Sequence, residues 1–418
     1  MPHSNNDNYG CYRDRSYGTF HTVVVCCALI SLAFSAFAEL KPPATINDGI
    51  DRSDPNFVTA SLLVMSPGDE LYSSMGHSCF RLECPTFKLD YCFSYESESA
   101  KGRLFSLLSG NLKMGMFAVP TQDYLKSFAQ EGRGVVQYKL NLPPDVKQRL
   151  WKALDDSVAE GVKLPYDVLR RGCSQSMVKT LQQVLPPYKL SVSEWPEKFS
   201  KTRRELVESV VNDRPWIRLS LHTLSGMELD RDVTRMEKVV VPTDLLEFLR
   251  IATINGRAII DSEGVELLAV KKTGVASAFD GVVATCFTPT VVSCVVVGLA
   301  VANFFMRCAW VDWLYLGFQS AFGLALAYLV FVSTLFGTNW NWLIVPFNLL
   351  PLVFWKWRKK WALWFAGVLV LWEAWMIIYP HRLTDPAYLV LVAAYVIFYA
   401  SMARRPSCKT LTAKGGRC

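Results

Sequence analysis

The chain has 418 residues, 51% of them hydrophobic and 19% charged, with a formal net charge of +7 and 12 cysteines. The basic excess falls in short loops between apolar stretches, so nucleic-acid binding is not needed to explain it. There is no internal repeat, low-complexity tract, glycine-rich phosphate loop or paired metal-type cysteine motif.

Residues 1–38 have the pattern of a signal peptide. Arg13, Arg15 and His21 precede an apolar run from Val23 to Phe34, and Ala36-Phe37-Ala38 ends the segment. Cleavage after Ala38 starts the mature chain at Glu39, and an uncut segment becomes an anchor; either way, the domain beyond it is carried across a membrane.

Residues 39–274 have the composition of a folded domain of about 236 residues, ample to bury a core. Phe57–Met65 is strand-like and stops at the turn signal Ser66-Pro67-Gly68-Asp69. His77–Glu83 and Leu89–Tyr95 form a predicted hairpin around Pro85-Thr86, and Val135–Leu142 alternates apolar and polar positions. Thr121–Gln130 is a predicted helix with Tyr124, Leu125 and Phe128 inward. A second starts at Pro143-Pro144-Asp145, repeats Val146, Leu150, Trp151, Leu154 and Val158 at helical spacing, and stops at Gly161. A third begins at Cys173 and carries Met177, Val178, Leu181, Val184 and Leu185 on one stripe, which is core packing and not a cofactor box. Arg257–Ile260 and Val265–Val270 suggest a last hairpin about Asp261-Ser262-Glu263-Gly264, and Lys271–Asp280 reads as a linker.

Residues 275–402 are a predicted all-α transmembrane region of about five spans: Val282–Phe305, Val311–Phe336, Trp342–Trp355, Trp361–Tyr379 and Ala387–Met402. The third is short and holds Pro346 and Pro351, so a kinked or re-entrant element and a count of four is the competing reading. With the domain outside, Arg307, then Lys356, Arg358, Lys359 and Lys360, then the basic tail 403–418 all fall inside. Tryptophans such as Trp310, Trp340, Trp355 and Trp361 mark the span edges. Helical spans point to an inner or plasma membrane and away from an outer-membrane barrel. Glu373 inside the fourth span is read as reaching toward headgroups or pairing with a neighbouring helix, and Asn339, Asn341 and Asn348 as bonding between helices.

Chemistry centres on two residues. Cys173 heads an amphipathic helix, and His77 opens a strand 96 positions earlier (173 − 77). A helix N-terminus stabilises a thiolate, and an imidazole brought beside it takes the thiol proton, which arms the sulfur to attack an acyl carbon. The competing reading, held as evenly, is a small buried cysteine and a turn histidine.

Tyr72-Ser73-Ser74-Met75-Gly76-His77-Ser78, Arg81-Leu82 and Asp90-Tyr91-Cys92-Phe93-Ser94-Tyr95 resemble the opening of the Lnb N-terminal periplasmic domain family of bacterial envelope proteins. The resemblance continues through Phe128–Arg133, Leu140-Asn141-Leu142, Tyr166–Cys173, Pro215–Leu219, Gly226, Asp230, the Val241-Pro242 to Leu246 segment and Asn339-Trp340-Asn341. The family's histidine and cysteine segments are in turn similar to the circularly permuted papain-like branch, where the histidine strand precedes the cysteine helix. The resemblance implies an α+β, permuted papain-like periplasmic domain followed by the transmembrane bundle, in a multi-pass protein of the bacterial inner membrane. It implies Cys173 as nucleophile, His77 as base and Ser94 as the residue orienting the imidazole. No cofactor or metal is implied.

Two departures stand out. Arg171-Gly172 precede the cysteine where the family has Asp-Asn, and Ser94-Tyr95-Glu96 stand where it has Asn then Tyr-Gly. A serine orients an imidazole less firmly than an amide or carboxylate. Arg171 is a candidate to compensate by favouring the thiolate. The domain's four cysteines are Cys79, Cys84, Cys92 and Cys173. The hairpin brings two of the first three close enough for a disulfide, leaving Cys173 free; a zinc site on His77, Cys79, Cys84 and Cys92 is the lesser alternative, because it lacks the usual short paired spacing.

Three functions fit these features. The first is a membrane-tethered cysteine hydrolase or acyltransferase acting on an envelope amide or ester in peptidoglycan, lipid or an envelope protein. The second is a non-catalytic periplasmic binding or maturation protein, chaperone-like, that uses the same cleft. The third and weakest is a transporter with an attached sensor domain. The first requires Cys173 Sγ and His77 to meet within about 4 Å.

Overall fold

The structure is a computed structural model that describes residues 54–68, 73–97, 104–161, 163–167, 169–271, 287–354, 357–379 and 385–404. The expected leader at 1–38, most of the expected linker and the tail from 405 lie outside the described residues.

The outer domain is built on a seven-stranded antiparallel sheet. In chain order its strands are β1 (Thr59–Met65), β2 (His77–Cys84), β3 (Leu89–Ser97), β4 (Lys113–Pro120), β5 (Val135–Lys139) and β6 (Leu164–Pro165). Two small sheets come next, from β7 (Leu190–Ser191), β8 (Lys198–Thr202), β9 (Asp232–Thr234), β10 (Thr253–Ile254) and β11 (Arg257–Ala258), and β12 (Val265–Leu268) returns to the main sheet. The main order is β12-β5-β1-β2-β3-β4-β6.

Strand residues alternate faces, so each face is buried by its own layer. Leu62, Phe80, Leu82, Phe93 and Met116 pack beneath helices Pro144–Glu160, Cys173–Val184 and Pro242–Ile251. Leu63, Met65, Cys79 and Cys92 pack beneath Tyr124 and Phe128 of the Thr121–Gln130 helix. The two layers carry the site, because the cysteine helix lies against one face while His77 and Ser94 share the face of Cys79 and Cys92.

The first hairpin forms as expected. Pro85–Phe87 makes a 3-10 turn that Lys88 closes in the left-handed region at φ 55°. Leu89 then pairs with Cys84 and Phe93 with Phe80. The Pro144–Glu160 helix stops at Gly161, φ 60°, as its glycine signals.

The last expected hairpin does not form. β11 turns back on β10 through Asn255-Gly256, whose φ values of 51° and 79° are those of a tight primed turn, while β12 joins β5 across the main sheet. The Asn-Gly signal was the stronger one, and the Asp261–Gly264 segment is a crossover.

β4 and the helices Arg203–Val211, Pro215–Leu224 and Pro242–Ile251 were not foreseen. The Arg203–Val211 helix did carry a signature: Thr202 and Glu205 form a capping box, with Glu205 N donating to Thr202 Oγ1 at 3.2 Å and Thr202 N to Glu205 Oε2 at 2.8 Å.

Among the described residues, four helices are long and apolar enough to cross a membrane: Pro289–Met306, Ala309–Phe331, Lys360–Ile378 and Pro386–Arg404. Four of the five expected stretches hold such a helix, which matches the competing count. The Trp342–Trp355 stretch is a 3-10 turn at Trp342–Ile344 followed by a four-residue helix, Leu350–Val353. Pro346 and Pro351 lack the N–H a helix needs, and the freed backbone is satisfied from the side: buried Gln319 donates to Pro346 O at 2.8 Å. Asn341 and Asn348 cap the pieces, accepting from Leu343 N at 2.9 Å and Leu350 N at 3.0 Å; the Asn341 amide also donates to Thr223 O of the Pro215–Leu224 helix at 2.7 Å, while the Asn348 amide donates to Val345 O within its own stretch at 2.7 Å.

The Pro386–Arg404 helix packs against both the Pro289–Met306 and Arg358–Ile378 helices. Tyr315 stacks on Phe398 with ring centroids 4.8 Å apart, and Tyr395 donates to Tyr315 O at 2.9 Å. Leu324, Trp364, Leu371 and Ile378 stay exposed on the outside of the helices, where a bilayer supplies their solvent.

The outer domain docks on one end of these helices. Trp216 Nε1 donates to Phe287 O at 2.8 Å, Asn341 Nδ2 to Thr223 O at 2.7 Å, and the Arg170 guanidinium lies 3.4 Å from the Phe336 ring centroid. Gly226 is required here, since a Cβ would come within 1.8 Å of Asn339 O. Arg204, bound to Asp230 at 2.7 Å, donates to Gly226 O at 3.1 Å. Gly226, Asp230 and Asn339–Asn341 are therefore residues of the joint. At the opposite end, Arg404 lies over Phe304 at 5.2 Å, and Trp361 Nε1 donates to Phe354 O at 2.9 Å.

Candidate functional site

Cys173 is held by the turn before it. The Asp167 carboxylate accepts from Leu169 N at 2.9 Å and Arg170 Nε at 2.8 Å, Arg171 N donates to Asp167 O at 2.8 Å, and Gln175 Nε2 donates to Leu169 O at 2.8 Å. Gly172 is the extended N-cap, with φ −75° and ψ 173°. Met177, Val178, Leu181 and Val184 bury the helix stripe, each contributing about 1.5–3 kcal/mol relative to exposure. Cys173, a residue of intermediate exposure, thus sits at the positive end of an anchored helix.

His77 is the first residue of β2 and comes directly after Gly76, whose φ is 79°. A Cβ at Gly76 would lie 2.9 Å from Met65 O, so both sterics and backbone angle demand glycine there. Nε2 of His77 lies 2.7 Å from Ser94 Oγ. The ring faces Cys173 and acts on it by charge and by hydrogen bond. With Nε2 committed to Ser94, Nδ1 is the nitrogen left for the sulfur. Ser78 adds its hydroxyl, which donates to Cys173 Sγ at 3.7 Å, and its backbone N–H.

These contacts favour the ion pair. Burial pushes the Cys173 thiol up, but His77 and Ser78 outweigh it and bring the thiol down to about 6. Burial works against charge on His77 as well; the Cys173 sulfur and Glu96 overcome it, with Arg133 opposing, and its basicity is raised. Both shifts favour the thiolate–imidazolium form of the pair. The groups that lower the thiol most are His77 and Ser78, so the compensation looked for in Arg171 has another source.

The three expected residues, Cys173, His77 and Ser94, come together. Behind Ser94 lie two residues that sequence reasoning missed. Tyr124 Oη is 3.0 Å from Ser94 Oγ and 2.9 Å from Glu96 Oε1. Ser94 is fully buried, and burial first, then Cys79 and Glu96, holds the Tyr124 phenol protonated. The available signal was the i, i+2 spacing of Ser94 and Glu96, which places both on one face of β3.

Cys79, Cys84 and Cys92 are free thiols, so no two of them form the disulfide that the hairpin spacing allowed. Cys79 and Cys92 are hydrogen-bonded neighbours in the buried layer beneath Tyr124, and burial holds the Cys79 thiol well above its ordinary range. Among the described residues no group of three or more His, Cys, Asp or Glu is placed to hold a metal ion.

Other motif residues are structural. Arg81 donates to Asp90 from Nε at 2.9 Å and Nη2 at 2.8 Å, to Glu83 at 2.8 Å and to Gln137 at 2.7 Å, which locks β2 to its neighbours β3 and β1 through the Gln137–Ser61 bond. Arg133 donates to Ser66 O at 2.8 Å and covers Phe128 at 4.7 Å.

Residues 48–209 match the family model described as the Lnb N-terminal periplasmic domain. The matched segment contains Cys173, His77, Ser94, Tyr124 and Glu96 and ends before the apolar helices. No curated protein and no solved structure matches the chain.

Proposed function

Since residues 48–209 belong to the Lnb N-terminal periplasmic domain family, we propose that this membrane-tethered periplasmic protein is a cysteine hydrolase or acyltransferase acting on an envelope amide or ester. One observation carries the reading: an imidazole bound at Nε2 by Ser94 faces a sulfur at a helix head. The order of histidine strand before cysteine helix supports a permuted papain-like relationship.

The Cys173 thiolate attacks the acyl carbon, and charge gathers on the carbonyl oxygen near the first-turn N–H groups of the Cys173–Val184 helix. His77 gives its proton to the departing amine or alcohol, leaving a thioester on Cys173. Water or an acceptor amine or hydroxyl then loses a proton to His77, attacks the thioester and frees the thiolate. Ser94 holds the ring for both proton transfers. The substrate is an amide or ester of peptidoglycan, lipid or an envelope protein.

In the same reading the membrane is the bacterial inner membrane and the chain crosses it five times, the third time by the broken stretch. Trp342 accepts from Trp372 at the domain end, whereas Phe354 accepts from Trp361 at the far end. This keeps Arg307, Arg358–Lys360 and Arg404 on the side away from the domain, as the charge rule favours.

The test is site-resolved labelling of the full chain in membranes with an acyl-directed thiol probe. Labelling of Cys173 in the native protein and its loss in His77→Ala supports the enzyme. Indifference of Cys173 in the native protein leaves the non-catalytic binding or maturation role.

A further inference from the structure

We propose that Glu96 and Tyr124 are positioning residues that, through Ser94, fix which nitrogen of His77 faces Cys173. This rests on the proposed thiol chemistry of Cys173. The bond lengths are His77 Nε2 to Ser94 Oγ 2.7 Å, Ser94 Oγ to Tyr124 Oη 3.0 Å and Tyr124 Oη to Glu96 Oε1 2.9 Å.

Proton counting gives the chain a direction. A carboxylate only accepts, so the single phenol proton of Tyr124 goes to Glu96. The Tyr124 hydroxyl is placed as a donor to Ser94 Oγ as well as to Glu96; its one proton is drawn to the carboxylate, the stronger acceptor, and the Ser94 proton then turns to the vacated lone pair of Tyr124 Oη. Ser94 Oγ is left as an acceptor, and the proton between it and the ring belongs to Nε2 of His77. Nδ1 therefore carries the lone pair that takes the Cys173 proton.

A bare serine would leave this choice open, because its hydroxyl rotates and can donate to Nε2 instead. Tying it to a carboxylate two residues along the same strand removes that freedom. The chain thus supplies through two hydroxyls the negative partner that other sites place directly on the histidine.

The groups around the ring come from every element packed on it. Cys173 faces it from the helix, Glu96 and Ser94 from β3, Tyr124 from the Thr121–Gln130 helix, and Arg133 from the segment after that helix. Cys79 lies on β2 within the field of both Glu96 and Cys173, and Tyr166 lies beside the sulfur. Arg133 is held back by Ser66 O and by Glu131, the latter at 3.1 Å, so Glu96 is the carboxylate that acts on the ring.

The experiment is the pH profile of iodoacetamide alkylation at Cys173 in the full-length protein, read at that residue by peptide mass spectrometry. Native protein is expected to inflect in mildly acidic solution. Glu96→Gln and Tyr124→Phe are each expected to move the inflection upward by about one pH unit, with Glu96→Asp lying between. Tyr124→Phe keeps the edge contact with Phe128, 5.1 Å between centroids, and so reads the chain even where Glu96→Gln fails to fold. A low native inflection that neither variant moves overturns the relay and leaves the Cys173–His77 pair standing. A native inflection in the ordinary thiol range overturns the pair and the relay with it.

Discussion

Arg218 donates from Nε to Asp385 Oδ2 at 2.8 Å across 167 positions of sequence, joining the outer domain to the head of the last apolar helix. Asp385 is 1% exposed on its side chain and also accepts from Ala387 N at 2.9 Å, so one carboxylate both caps the helix and receives the domain. Removing one partner of such a pair strands the other charge in a dry place. Arg218→Ala is expected to cost about 3–5 kcal/mol, read as a lower thermal midpoint in detergent and faster proteolysis at the joint. Asp385→Asn in the same chain should recover most of the loss, since an amide oxygen still caps Ala387.

The pH response of Cys173 has a definite sign. Its folded-state titration lies at about 6, below that of a free thiol, so the reactive thiolate is retained as pH falls until about 6 and is lost below it. His77→Ala removes the main cause. The alkylation inflection is then expected to rise toward about 8.5, with labelling at pH 7 falling by more than tenfold. An unchanged profile would show that the imidazole does not act on the sulfur.

Gly76→Ala tests the backbone that aims His77. At φ 79° and 2.9 Å from Met65 O, a methyl group has neither the angle nor the space. A cost of about 1–3 kcal/mol is expected, together with slower Cys173 labelling. Gly161→Ala, at φ 60° but with nothing within 4 Å, is the control: a comparable angular penalty with labelling intact.

The side of the C-terminal tail separates four crossings from five. A fluorescent-protein fusion after the last residue should glow, and an alkaline phosphatase fusion there should be inactive, when the tail lies opposite the domain. The reverse pattern means that the broken stretch returns to the side it came from.

Much of the site was legible because it depends on local rules. A glycine before a strand, a helix starting at a cysteine and an apolar stripe behind it are each set by a few neighbouring residues. Tyr124 and Glu96 were not legible as partners. Tyr124 read as an inward helix residue, which it is, but that its hydroxyl reaches Ser94 depends on how the Thr121–Gln130 helix lies across the sheet. The last hairpin failed for a similar reason: β12 finds its partner in β5, more than a hundred residues earlier in the chain, and no local pattern records that pairing.

By itself the sequence determined the outer domain's main elements, the apolar helices, the basic ends and the residues able to do thiol chemistry, because periodicity, proline and charge act over a few residues. Only the tertiary structure decided that the proline-bearing stretch is not a helix span, that the four cysteines stay unlinked, and that a serine backed by a phenol and a carboxylate holds the histidine. Those outcomes turn on distances between elements far apart in the chain, which packing and burial set and local composition does not encode.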